Sequence, residues 1–327
     1  MTGKKILDSI IKSEKNTYFV ICPYHIGDFL ISGGLAHAIK KPKGKSNLKI
    51  IALQYLQKIN VQFQGVDGFI FISQPQMNEI INYVHISENY VTQNYIYGHF
   101  KKYKKTGRFI ADEELNFVQQ YNHDVYGLPV NTEIKKPVFK RISGTEIEKL
   151  HTNCIIDKEK TIIISPYAYS APNFLGMNFW TVLVSILKSK GFVVYTNIGN
   201  DREQPVPETL PLKTSFSELF YVGEKIRCFI GLRSGILDFL AFSQAKVFSI
   251  NGVSNWDNDL KLIFPESNSH TFYCAKPLLD VLRNYLNAVS VQNKVDISLS
   301  ISLKQKKLNS KIYMSLEELT QDIVNLI

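Results

Sequence analysis

The amino-acid sequence predicts an α/β protein made of two parallel-sheet halves, and three observations carry that expectation. The chain has 327 residues, which at roughly 100 to 200 residues per domain makes two domains. Hydrophobic residues make up 45% and charged residues 20%, the composition of an ordinary globular protein able to bury a core. Short β-branched and aromatic runs alternate with helical patterns, the signature of βα units.

In the first half, strands are expected at Tyr18 to Cys22, Leu48 to Leu53 and Gly68 to Ile72. A helix should open near Asp28, with Phe29, Leu30, Gly33, Ala36 and Ile39 on one face, and should stop at Lys40, Lys41 and Pro42. Gly33 and Gly34 inside it cost about 1 kcal/mol each against Ala. Either they allow close packing or a ligand approaches there. A Tyr- and Lys-rich stretch follows, and then a helix from Asp112 whose acidic first turn suits the positive end of the helix dipole. Pro129, Pro137, a basic run and a polar segment place the interdomain linker near residues 130 to 160, giving domains at 1–150 and 151–327.

The second half reads more cleanly. Strand Thr161 to Ser165 leads to a helix from about Asn178 to Lys190, with Gly191 as its C-cap, and to strand Phe192 to Thr196. Ser215 and Glu218 form a capping box ahead of a short helix. Strand Arg227 to Ile230, a helix from Ser234, strand Lys246 to Ile250, strand Thr271 to Cys274 and a helix around Pro277 to Asn287 follow. A second capping box, Ser315 with Glu318, opens a last helix whose Leu316, Leu319, Ile323 and Leu326 form an apolar stripe. That helix could pack on either domain, including back on the first.

Lys plus Arg outnumber Asp plus Glu by 38 to 29, for a net charge of +9. Only six of these cations are Arg, the residue suited to bidentate recognition of bases, so the excess does not mark a nucleic-acid reader. The Lys clusters at 40–49, 101–108, 135–141 and 304–311 suit a phosphorylated or membrane-borne partner, or plain solvation. The four cysteines, at 22, 154, 228 and 274, form no CxxC pair, and read as reduced core residues of a cytosolic protein. The N-terminus lacks a continuous apolar segment, so no signal peptide is expected. The longest apolar runs fall far short of the ~20 residues that span a bilayer, so membrane contact would be peripheral.

Several loops at strand ends carry candidate chemistry. Between the first strand and first helix lie His25, Gly27 and Asp28. This is the carboxyl edge of a parallel sheet, where α/β proteins bind ligands, and Gly27 lets a backbone come close. Asp28 could act as a general base with His25 sharing or tuning the role, or Asp28 could simply N-cap its helix. Arg233, Ser234 and Gly235 follow a later strand and open a helix. They make a diphosphate cradle, or alternatively an N-cap beside a surface ion pair. Tyr167, Ser170 and Asn173 form either a pocket wall or a turn. Asn200 and Asp201 could bind a ribose or base, or could be turn formers. Asp257 and Asp259 form a D-x-D triplet in a late loop, a weak metal signal, and the seven His show no zinc spacing. No dinucleotide fingerprint, P-loop or G-x-S-x-G elbow is present.

Three of these pieces, in this order, resemble the bacterial heptosyltransferase-like glycosyltransferases of family 9, whose GT-B fold sets two Rossmann-like domains across a central cleft. The pieces are His25 to Asp28 with the following helix, the stretch from Ile162 to Asn200 with its Ser-bearing loop and Trp180, and the stretch from Ser215 to Gly252. The chain departs from the family pattern at Arg233, where the family has Asp, and at Asp238, where it has His. The family's phosphate-holding Lys is also replaced, with Asn173 or Asn178 nearby. The resemblance implies a cytoplasmic enzyme, able to meet the inner face of the membrane, that moves a sugar from a nucleotide-sugar donor. The acceptor would be a glycan or lipid-linked molecule of bacterial surface polysaccharide, lipopolysaccharide or glycoconjugate synthesis. It further implies inversion without a metal or cofactor. Asp28 and His25 would be catalytic, and Gly27, Tyr167, Ser170, Asn173, Asn200, Asp201, Arg233, Ser234, Gly235 and Asp238 would hold the donor. The alternatives are a nucleotide-sugar epimerase of the same architecture and a non-catalytic binding module of this fold.

Overall fold

The run Thr17–Cys22 forms strand β1, and its residues Phe19 to Cys22 are all fully buried. A continuous apolar run of this kind belongs to a parallel strand covered on both faces. In the computed structural model, which describes residues 2–84, 87–93, 117–154, 156–168, 175–252, 266–274, 312–313 and 316–327, β1 sits inside a parallel sheet ordered β4-β2-β1-β5. Its other strands are β2 (Asn47–Leu53), β4 (Gly68–Ile72) and β5 (Tyr90–Thr92). Helices α1 (Gly3–Ser13), α2 (Ile26–Leu35), α3 (Gln74–Tyr83) and α4 (Phe117–Gln120) accompany it. A two-stranded antiparallel ribbon joins β3 (Val61–Gln62) to β6 (Val138–Phe139).

The predicted strands at β1, β2 and β4 lie where the sequence places them. Helix α2 differs. It begins at Ile26 and ends at Leu35, short of the expected stop at Lys40. Every residue of it except Asp28 is buried, which is why its apolar positions run all round the helix. Gly33 and Gly34 are required by packing. A Cβ on Gly33 would enter the Phe63 ring, and one on Gly34 would strike the Ile134 side chain. Of the expected helix from Asp112, residues 117–120 form α4 and Tyr121–Val125 continue as a wider π turn. Residues 112–116 and the Tyr- and Lys-rich segment Tyr95 to Lys105 lie outside the described residues.

Contacts divide the chain into units Met1–Arg141 and Ile142–Ile327. The division therefore falls inside the expected linker but before residue 150. Ser143 caps helix α5 (Gly144–Asn153) in a capping box with Glu146. Leu150 and the following Cys154 are buried, so this segment is structured and opens the second unit.

The second unit holds a parallel sheet ordered β13-β12-β11-β10-β7-β8-β9. Its strands are β7 (Thr161–Ser165), β8 (Val193–Asn197), β9 (Leu210–Leu212), β10 (Cys228–Leu232), β11 (Lys246–Gly252), β12 (Ser269–Cys274) and β13 (Ile312–Tyr313). Helices α6 (Gly176–Ser189), α7 (Phe216–Gly223), α8 (Gly235–Leu240) and α9 (Leu316–Leu326) cover it. Gly191, after α6, takes φ of 87°, the left-handed conformation that closes a helix C-terminus at least cost to Gly. Ser215 and Glu218 form their capping box on α7. The expected helix at Pro277 to Asn287 lies outside the described residues, as do Ser315 and the D-x-D triplet.

Helix α9 packs into this second unit, which decides between the two placements open to it. Leu319, Ile323 and Val324 join a core with Trp180, Leu183, Leu187, Ile230 and Phe248. Its last carbonyls, which have no partner within the helix, accept hydrogen bonds from Lys246 Nζ (to Leu326 O, 2.7 Å) and Arg227 Nε (to Ile327 O, 3.1 Å). Cys22, Cys154 and Cys228 are buried thiols that form no disulfide. No described helix is long and apolar enough to cross a membrane.

Candidate functional site

Each sheet reverses its strand order beside its first strand. In the first unit the chain runs from β1 to β2 and β4 on one side and returns to β5 on the other. The gap beyond the carboxyl ends of β1 and β5 is the switch point at which open α/β sheets bind ligands. Asp28 stands there. His25 is the N-cap of α2 and Asp28 is its third residue, so the N-cap role weighed for Asp28 belongs to His25. Asp28 Oδ2 accepts the His25 main-chain N–H at 3.3 Å, the reach-back expected of an acid at this helix position.

The other carboxylate oxygen, Oδ1, accepts the Tyr121 hydroxyl at 2.5 Å. Tyr121 is fully buried and comes from the π turn. Beneath Asp28, Gln93 follows β5 and donates through Nε2 to the Asp28 carbonyl at 2.8 Å and also to Ser32 Oγ. Ser32 Oγ in turn lies 2.5 Å from the Tyr126 hydroxyl. His25 Nδ1 lies 3.1 Å from the Tyr55 hydroxyl. Tyr24 is pushed up to about 12, first by burial and then by the negative charge of Asp28. Tyr55 and Tyr126 are also raised, again with burial as the main cause. These three hydroxyls therefore stay protonated at neutral pH. Gly27 is buried next to Asp28.

In the second unit the reversal lies between β7 and β10, and the loops after β7, β8, β10 and β11 share one edge. Buried polar side chains line that edge: Ser165, Asn197, Ser249 and Asn251. Ser249 Oγ donates to Asn251 Oδ1 at 2.9 Å, and Asn197 Nδ2 lies 3.5 Å from Ser165 Oγ. Ser165 and Asn197 head loops that the sequence singles out, whereas sequence reasoning missed Ser249, Asn251 and Tyr121. The available signal for the four edge residues was a polar residue closing each apolar run: TIIIS, VVYTN and KVFSIN.

The predicted donor-side residues are brought to this edge in different states. Tyr167 donates to Gln204 O at 2.6 Å and accepts the Gln204 N–H at 3.2 Å, tying the loop after β7 to the loop after β8. Asn200 Oδ1 accepts the Arg202 N–H at 2.8 Å, and Asn200 Nδ2 donates to Glu203 Oε1 at 3.0 Å. Asp201 pairs with Lys213 at 2.8 Å with both side chains exposed, and that hydrogen bond lowers its carboxyl. Asn200 and Asp201 thus build the turn. Ser234 is the N-cap of α8, with Gly235 its first residue. Arg233 Nη2 pairs with Asp238 Oδ1 at 2.7 Å, and Nη1 donates to Ser234 O at 3.1 Å. Ser170 and Asn173 lie outside the described residues. Among the described residues, no group of three or more His, Cys, Asp or Glu side chains is arranged to hold a metal ion.

No protein-family model and no curated protein matches the chain. Solved structures do. The ADP-heptose lps heptosyltransferase II of E. coli superposes with a TM-score of 0.50 at 13% identity, over 79% of this chain and 89% of that one. A glycosyl transferase of family 9 from Veillonella parvula DSM 2008 superposes with a TM-score of 0.55 at 12% identity, over 86% of this chain and 91% of that one. At such identities the likeness is one of fold, and it is the GT-B, heptosyltransferase-like fold that the motifs of the sequence resemble.

Proposed function

We propose that the chain is a glycosyltransferase that carries a sugar from a nucleotide-sugar donor to an acceptor hydroxyl, with Asp28 as the base. The observation that carries this reading is the Asp28 carboxylate at the first unit's switch point, oriented by the Tyr121 hydroxyl and the His25 N–H. In the reaction, Asp28 takes the proton of an acceptor hydroxyl. The oxygen then attacks the anomeric carbon while the bond to the nucleoside diphosphate breaks and its electrons leave with the phosphate. One displacement inverts the anomeric centre.

The departing diphosphate meets Arg233 and the main-chain N–H groups of Ser234 and Gly235, which stabilise its charge without calling on a metal. Asp238 already balances Arg233, so that guanidinium offers directed N–H donors more than uncompensated charge. Tyr167 walls the donor pocket. His25, with Tyr55 beside it, contacts the acceptor. Because one neighbour of this fold is named as an ADP-heptose lipopolysaccharide enzyme, an ADP-activated heptose and a lipid-linked glycan head the substrates to try. The protein would meet that acceptor at the inner face of the cell membrane. Thermal-shift measurement against ADP-, UDP-, GDP- and CMP-sugars tests the reading. Stabilisation by one nucleotide series supports it, and stabilisation by none defeats it.

A second reading, a binding module without turnover, is favoured by one observation: Arg233 is folded onto Asp238. Nucleotide binding with no nucleoside diphosphate released in the presence of acceptor would select it.

A further inference from the structure

We infer that Tyr121 is a positioning residue for Asp28, setting which carboxylate oxygen receives the acceptor's proton. This rests on the reading of Asp28 as base. A carboxylate oxygen has two acceptor sites, and a charge-assisted O–H···O⁻ bond is about twice as strong as a neutral one. At 2.5 Å the Tyr121 hydroxyl occupies Oδ1 with such a bond, whereas the His25 N–H reaches Oδ2 at a longer 3.3 Å. Of these two bonds the one to Oδ2 is the weaker, so Oδ2 gives up less on taking a proton. The two donors approach different oxygens and so fix the carboxylate plane. Asp28 is the one residue of α2 that is not buried.

Hydrogen bonds tie down the turn that carries Tyr121. The Tyr126 N–H closes the π turn onto Tyr121 O at 3.2 Å, and the Leu128 N–H bonds Asn122 O at 2.7 Å. Asn122 Nδ2 donates to Val130 O at 2.9 Å and to Thr132 O at 2.8 Å. Such single π turns are rare and concentrate at functional sites. The competing explanation is that a buried tyrosine needs an acceptor and Asp28 supplies it, with no bearing on the reaction. The two differ in kinetics. A positioning role is felt in kcat, because misplacing a base by a fraction of an ångström affects the transition state while ground-state binding is kept. A structural role moves stability alone.

The test compares the wild-type protein with Tyr121→Phe, Tyr195→Phe and Asp28→Asn, following release of nucleoside diphosphate from the donor that the panel of ADP-, UDP-, GDP- and CMP-sugars selects. Delipidated lipopolysaccharide core is the acceptor probe. Tyr121→Phe should lower kcat tenfold or more with both KM values within about twofold. Tyr195→Phe, which removes a buried hydroxyl of the second unit bonded to Cys154, should leave kcat within twofold. Should Tyr121→Phe not fold, 4-aminophenylalanine at position 121 keeps the ring and a weaker donor, and should give a kcat below the wild type with unchanged KM. An inactive Asp28→Asn beside a fully active Tyr121→Phe, or beside a fully active 4-aminophenylalanine variant, overturns the positioning role alone. Equal kcat losses in Tyr121→Phe and Tyr195→Phe do the same. Full turnover by Asp28→Asn, or none by the wild type, removes the base assignment and this role with it.

Discussion

Arg233 Nη2 lies 2.7 Å from Asp238 Oδ1, and the two side chains are only 15% and 4% exposed. These are two of the positions at which the chain departs from the pattern it resembles, and they pair with each other. A buried pair is costly to break on one side only, because the remaining charge is left in a poor solvent.

The single variant Asp238→Ala should therefore lose about 3 kcal/mol or more of unfolding free energy. The double variant Arg233→Met with Asp238→Leu should recover most of that loss. Urea titration of the three proteins checks it, and a single variant as stable as the wild type would mean the pair contributes little.

Gly33→Ala sets two effects against each other. Helix propensity favours Ala by about 1 kcal/mol, but the new methyl would enter the Phe63 ring. Overpacking of a core costs about 1 to 3 kcal/mol, so the net change should be destabilising. Thermal unfolding should show a lower midpoint, and a higher one would show that Phe63 can move aside.

Cys228 is fully buried, and burial pushes its thiol from an ordinary 9.0 up to about 12. In the unfolded chain it would lose its proton near 9.0. Below that pH both states hold the proton and stability is flat. Above it the unfolded state binds fewer protons, so stability falls with rising pH until the folded thiol also titrates near 12. The slope contributed by this group is about 1.4 kcal/mol per pH unit. Chemical denaturation at pH 8 and pH 10 should show a drop that Cys228→Ala reduces, and an equal drop in both proteins would contradict the assignment.

Ser143→Ala should cost about 1 kcal/mol, because Ser143 accepts the Glu146 N–H at 3.3 Å as the cap of α5. That helix shows where the sequence stops being legible. Ser143 with Glu146 is the same signature as Ser215 with Glu218, but only Ile147 and Leu150 follow it as apolar positions, too few for a clear helical period. The strands β1, β2 and β7 were readable because both of their faces are largely buried, and β4, a half-buried edge strand, because its aromatic and β-branched residues run together. Strand β5 is three residues long and gives no such signal. At the site, Asp28 was legible from its place between a strand and a helix. Tyr121 and Gln93 were not, because tertiary folding brings them to Asp28 across 93 and 65 residues. Asn200 and Asp201 were visible as polar residues at a strand end, a pattern shared by turn formers and ligand-binding residues, and only their partners Glu203 and Lys213 show them forming a turn.

The most direct measurement is turnover of the selected nucleotide sugar by the wild-type protein and Asp28→Asn, with nucleotide binding followed in parallel by thermal shift. Asn keeps the size of the side chain and an acceptor for the Tyr121 hydroxyl but cannot take up the proton. The account predicts unchanged nucleotide binding in Asp28→Asn with release of nucleoside diphosphate lowered at least a hundredfold. Release at the wild-type rate would contradict it.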